Sequence, residues 1–217
     1  MFELENISVA YADEPVLTDI SLHIGAGEKV VIIGHSGAGK STLLKKLYDM
    51  QPPRVAFIHQ DYALVPQLSV FHNVCIGRLD QHTTAYNLLN LVKPQKRELD
   101  EVVPLLGDLG MPDKIYERVS NLSGGQQQRV AVARALYRDG DAVLGDEPVS
   151  AIDPHQAGEV LRLLVQRSRT LVLAMHDVQL ALKHFGRIVG LRNGRVVFDL
   201  PSEQVDDRIL GDLYQAC

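Results

Sequence analysis

Cysteine is scarce in this chain, with Cys75 and Cys217 the two present in 217 residues. Neither has a metal-ligand neighbour in spacing, and the pair fits a reducing compartment better than a disulfide framework. Cys75 is expected to pack rather than react. Excess positive charge is missing as well. The net charge is −5, which argues against a nucleic-acid surface as the main business of the protein. No run approaches the roughly 18 apolar residues that cross a bilayer. Met1-Phe2-Glu3-Leu4-Glu5 lacks the charged-then-apolar layout of an export signal, so a cytosolic placement is expected. What remains is ordinary for a soluble globular protein: 46% hydrophobic and 23% charged residues, in a length that suits one large domain or one domain carrying an insertion.

The most informative stretch is Gly34-His35-Ser36-Gly37-Ala38-Gly39-Lys40-Ser41-Thr42. It follows the β-branched run Val30-Val31-Ile32-Ile33 and opens the helical run Leu43 to Leu47. A strand, a glycine loop and a helix start carrying Lys and Ser form the context of a phosphate-binding loop. The glycines let successive N–H groups turn onto one anion, and the helix adds its positive end. Lys40 supplies a point charge to the outer phosphates, and Ser41 offers a hydroxyl to Mg²⁺. A nucleotide triphosphate site follows.

Around that loop the chain alternates. Residues 2–11 and 16–24 read as strands joined by a turn at Ala12-Asp13-Glu14-Pro15, and a helix over 40–49 stops at Pro52-Pro53. Tyr11 is either an edge-strand aromatic or a stacking surface for adenine. The short strand 55–58 ends at His59-Gln60, which places Gln60 where ligands bind in α/β sheets and makes it a candidate for a Mg²⁺ or water contact. Residues 61–121 change character and read as a helical insertion, with helices near 68–74, 84–92 and 96–109 punctuated by prolines that include Pro104. Ser123 then caps a helical pattern over 127–137, and Gly124 and Gly125 expose backbone N–H groups as a second anion cradle or a plain structural cap. The strand 142–146 ends in Asp146-Glu147: either two solvated acids, or a Mg²⁺ ligand beside a general base. The helix 154–168 follows Pro154, and the strand 170–175 ends at His176, a γ-phosphate contact or a satisfied hydrogen-bonding group. A helix over 178–184, a hairpin turning at Arg192-Asn193-Gly194 and a polar helix from Ser202 close the chain.

In this order, Gly34 to Thr42, Gln60, Leu122-Ser123-Gly124-Gly125-Gln126, Asp146-Glu147 and His176 resemble the nucleotide-binding subunit of an ABC transporter, from about Phe2 to Tyr214. The resemblance implies an α/β P-loop NTPase (RecA-like) core, spanning 1–217 as a single ATP-binding domain. It would carry a reduced antiparallel β subdomain and an inserted helical subdomain at 61–121. The segment between Lys40 and Gln60 is shorter than the family's, which is where the missing strands would lie. ATP and Mg²⁺ are the implied ligands, with Tyr11 on adenine, Gly34 to Thr42 on the phosphates, Ser41, Gln60 and Asp146 on Mg²⁺, Glu147 as base and His176 on the γ-phosphate. Ser123, Gly124, Gly125 and Gln126 would cover the nucleotide of a second copy, with Asp153 at the dimer contact.

Implied partners are that second copy, a transmembrane permease subunit docked near Gln60 to Asn73 and, indirectly, a periplasmic or extracellular solute-binding protein. The implied location is the cytoplasmic face of the membrane, peripherally bound. Leu64 to Val70, Gly145 to Ser150 and Asp212-Leu213-Tyr214 look like importer ATPases of the phosphonate and phosphite type. Amino-acid importers and lipoprotein-releasing exporters share much of this text. A soluble ABC ATPase and a phosphotransferase are the readings from other classes.

Overall fold

The computed structural model describes residues 1–12, 14–50 and 54–215. They fall into two compact units, the first comprising 1–57, 141–147 and 168–217, the second 58–140 and 148–167.

The first unit is built on a six-stranded sheet of order β4-β5-β6-β3-β7-β8. Its strands are β3 (Lys29–Ile33), β4 (Val55–Ile58), β5 (Ala142–Asp146), β6 (Thr170–Met175), β7 (Arg187–Arg192) and β8 (Arg195–Pro201). β5, β6, β3 and β7 pair in parallel, and β8 returns antiparallel along β7. The parallel strands are apolar in their middles because both faces are covered: every residue of β5 and β6 is buried. β8 alternates exposed and half-buried positions, as expected at an edge. Helix α1 (Lys40–Asp49) lays Leu43, Leu44 and Leu47 on this core.

β1 (Phe2–Tyr11) and β2 (Glu14–Ile24) form a separate two-stranded antiparallel sheet whose inward residues Phe2, Leu4, Leu17, Ile20, Leu22 and Ile24 join the same core. Three register shifts interrupt their ladder. Among the described residues this sheet has two strands, the reduced antiparallel subdomain that the short segment between Lys40 and Gln60 implies.

The second unit is helical: α2 (Val70–Cys75), α3 (Thr84–Val92), α4 (Lys96–Asp108), α5 (Gly124–Tyr137) and α6 (Pro154–Arg167). Ser69, Thr83 and Ser123 cap α2, α3 and α5 through their hydroxyls. The remaining helices, α7 (Val178–His184) and α8 (Asp207–Tyr214), belong to the first unit, each started by an aspartate cap. Among the described residues no helix is long and apolar enough to cross a membrane.

Several sequence expectations shift in detail. Glu14 and Pro15 belong to β2 rather than to a turn, the proline sitting on an edge where its missing N–H costs nothing. Pro104 lies inside α4, whose span of Lys96–Asp108 keeps close to the expected helix over 96–109. α5 begins at Gly124, three residues before the apolar periodicity, because a full capping box outweighs the low helix propensity of two glycines: Gln126 N–H donates to Ser123 Oγ, and Ser123 N–H to Gln126 Oε1. The chain end from Ser202 is a 3₁₀ turn, Ser202–Gln204, before α8. Asp13, Pro52, Pro53 and Cys217 lie outside the described residues.

Candidate functional site

Three neighbouring strands deliver the chemistry of the first unit. Ile33 pairs with Met175 and Asp146 with Ala174, so Gly34, His176 and Glu147 leave the sheet together at its carboxyl edge, the usual ligand edge of a parallel sheet.

The loop after β3 is shaped by contacts that admit no side chain. A Cβ on Gly34 would lie 2.1 Å from the Leu191 carbonyl oxygen, and Gly39, with φ of +101°, caps α1 with no side-chain bond. Ala38 is buried, whereas His35, Ser36, Gly37 and Ser41 are exposed and Thr42 half-buried. Lys40 is 5% exposed, and its ammonium donates to the carbonyls of Gly34 at 2.7 Å and His35 at 2.9 Å. Burial pulls this amine below the usual lysine value, against the opposing pull of Glu147 and Asp146. A cation so placed is desolvated and aimed into its own loop, which suits a polyanion. From outside, the turn between β7 and β8 braces the loop: Gly194 N–H donates to Ala38 O (3.1 Å), and Gly194 O accepts from Thr18 N–H (2.8 Å). Tyr11, 53% exposed, ends β1.

Asp146 is buried, and its Oδ1 has no hydrogen-bond partner among the described residues. An orphaned buried carboxylate oxygen beside a phosphate loop fits a bound cation. Among the described residues no group of three or more His, Cys, Asp or Glu side chains holds a metal unaided. The Asp146 and Ser41 oxygens instead suit a hard cation that completes its shell with phosphate and water. Glu147 sits at φ of +52°, a strained backbone for a glutamate, with its N–H bonded to Ala174 O. Its Oε1 lies 2.6 Å from His176 Nε2. The two residues expected to act separately are therefore one hydrogen-bonded pair.

In the second unit, Ser123, Gly124 and Gly125 line an open cavity of about 400 Å³ with Arg129, Asp153 and Gln156. Gln126 is spent on the capping box. Close approach fixes the cradle: a Cβ on Gly125 would stand 2.7 Å from Ala151 O. Gln128, 1% exposed, ties α5 to the same loop by donating to Ser150 Oγ and accepting from Ala151 N–H. Gln60 is exposed just past β4, and Arg134 of α5 holds the two residues beyond Asp61 by donating to the carbonyls of Tyr62 and Ala63, both at positive φ.

Arg129, Gln128 and Arg134 escaped the sequence reading. They lie on the helix that Ser123 caps, and polar residues interrupting its apolar face were the available signal. Cys75 is buried with its thiol pushed up to about 12 by desolvation, consistent with packing.

A strand-loop-lysine cradle, an acid pair at the tip of a strand two places along the same sheet and a capped Ser-Gly-Gly helix define an ATP-binding cassette. Residues 17–150 match the family model described as ABC transporter, and this chain belongs to that family. Its curated relatives include phosphonates import ATP-binding proteins PhnC. That of Pseudomonas putida is 40% identical over 97% of this chain and 88% of the relative, and PhnC 1 of Pseudomonas aeruginosa 39% identical over 97% and 90%. Against the PhnC of Anaeromyxobacter dehalogenans, also 39% identical, the chain spans 47% of the relative's length. Among solved structures, a dimeric ATP-binding cassette in a post-hydrolysis state bound to ADP and Pi superposes with a TM-score of 0.78 and 25% identity, covering 93% of this chain and 99% of that one.

Proposed function

We propose that this chain is the ATP-hydrolysing subunit of an importer for phosphonate or a related oxyanion, acting through a separate membrane-spanning permease. Family membership and the PhnC relatives support the system. The observation that carries the chemistry is the Glu147–His176 pair at 2.6 Å, one strand away from the buried Lys40 ammonium.

In this reading residues 1–217 form one ATP-binding domain with 61–121 as its inserted helical subdomain. Tyr11 stacks on adenine, the N–H groups from Gly34 to Thr42 wrap the phosphates, and Lys40 turns from its own carbonyls onto the outer ones. Ser41, Gln60 and Asp146 would hold Mg²⁺, which when bound would neutralise charge on the phosphate oxygens. Glu147 takes the proton of the attacking water, and His176, donating from Nε2, orients that carboxylate and meets the γ-phosphate. Ser123, Gly124 and Gly125 of a second copy close over the same phosphates, with Asp153 at the contact, so hydrolysis removes the charge the two copies share.

The permease docks on the helical unit. Support comes from α3, which exposes Leu88, Leu89, Leu91 and Val92 beside an apolar groove of about 390 Å³ that includes Leu68, Ile76 and Leu79. A peripheral position on the cytoplasmic face and an indirect link to an extracytoplasmic solute-binding protein complete the reading, and nucleic acid has no part in it.

Glu147→Gln separates binding from hydrolysis. Phosphate release should fall about 10²-fold or more, and the variant should become a dimer in MgATP by light scattering. A variant that stays monomeric at saturating MgATP overturns the shared-site reading.

A further inference from the structure

We infer that helix α8 is a working part of the phosphate loop, with Tyr214 and His35 as a latched pair of positioning residues. The inference rests on the ATPase reading above and goes beyond it by assigning the end of the chain a task in nucleotide binding. Four observations converge. His35 Nε2 lies 3.1 Å from the Tyr214 carbonyl oxygen, which can only accept, so the imidazole donates from Nε2. The two rings meet edge to face at 4.9 Å and 75°. Leu213 is buried, and burial pushes the Tyr214 phenol above the ordinary tyrosine value, so this end of α8 is seated rather than fraying. Arg192, at the end of β7, donates to the Asp212 carbonyl at 2.5 Å, joining α8 to the turn that also holds Ala38.

The position of His35 gives the latch its consequence. The two carbonyls that receive the Lys40 ammonium belong to Gly34 and His35, and His35 O also accepts from Ala38 N–H at 3.2 Å. Fixing the His35 side chain fixes the peptide planes on both sides of it, and with them the direction of the lysine and of the N–H groups that meet phosphate. The loop's tip, His35 to Gly37, is exposed. α8 therefore preorganises the anion cradle from outside the motif.

The test compares MgATP binding, by a fluorescent nucleotide analogue, and steady-state hydrolysis for the unmodified chain, Tyr214→Ala, a chain ending at Leu213, His35→Ala, and the His35→Ala change in the shortened chain. Ending at Leu213 keeps the buried anchor while removing both the carbonyl and the ring, and circular dichroism checks that each variant is folded. The loss of one hydrogen bond and one ring contact should weaken nucleotide binding and raise KM for ATP about three- to tenfold, with a smaller change in kcat. The double variant should be no worse than the worse single one, because each change breaks the same link. His35→Gln, which keeps a donor near Nε2, should recover part of the loss. Additive losses, or a shortened chain that binds as tightly as the full one, overturn the latch while leaving the ATPase reading intact. Failure of the unmodified chain to bind nucleotide overturns both.

Discussion

The chain contains two glycine-rich helix starts, the two cradles of the proposed function, built on different principles. The loop from Gly34 to Thr42 carries its own cation, Lys40, already desolvated and bonded to loop carbonyls, and it is braced by β2, by the β7–β8 turn and by α8. The cradle at Ser123 to Gly125 has no lysine. It offers backbone N–H groups and a helix end, held in place by close contact with Ala151 and by the Gln128 bridge. The first can hold a polyanion alone, since charge and geometry come from one segment. The second contributes fractional charge, enough to complete a site but too little to create one. In the proposed reading, a chain with one strong and one weak cradle shares its ligands between copies.

Removing the strong cradle's cation should have the largest effect. Lys40→Ala should cut ATP hydrolysis about 10²- to 10³-fold and weaken nucleotide binding to the isolated chain, measured by phosphate release and by fluorescent nucleotide titration. A Lys40→Ala chain that still binds nucleotide normally would erase the contrast. Gly125→Ala should act in the opposite pattern. Its Cβ would press on Ala151 O at 2.7 Å, so hydrolysis should drop about ten- to a hundredfold while nucleotide binding to a single copy stays unchanged. Equal damage to binding in both variants would show that the cradles are not divided in this way.

The smallest effect sharpens the contrast between buried groups that serve chemistry and those that serve packing. Cys75 titrates at about 12 in the fold against an ordinary 9.0, so both folded and unfolded chains keep the proton below pH 9. As pH climbs beyond 9.0 the unfolded thiol ionises first, and the stability this group contributes is lost on the way to about 12. Chemical denaturation should show that alkaline decline in the native sequence and a weaker one in Cys75→Ala, and alkylation at pH 8 should be slow until the chain unfolds.

Much of this was legible in the sequence, and for a physical reason. The phosphate loop, the strands β3 to β7 and the helix caps are local decisions, taken by glycine, β-branched residues and short polar side chains within a few positions of where they act. The first units of both cradles were accordingly visible as motifs. The Glu147–His176 bond and the role of Arg134 were not, because each joins residues brought near by the fold alone. The start of α5 was misplaced for the opposite reason: periodicity reports the buried face, and the capping box extends the helix beyond it. The contact of Tyr214 was not legible either, since its partner lies at the far side of the sequence in His35.

The turn at Asn193-Gly194 looks from the sequence like an ordinary hairpin tip, the kind of place where an epitope tag or a reporter domain is usually grafted without harm. Here a side chain on Gly194 would sit 2.3 Å from Val16 O, and the glycine's N–H and carbonyl are both already engaged. Protein engineers working on this cassette should leave that tip untouched and attach their labels to α6 instead, where Arg162 and Gln166 are exposed.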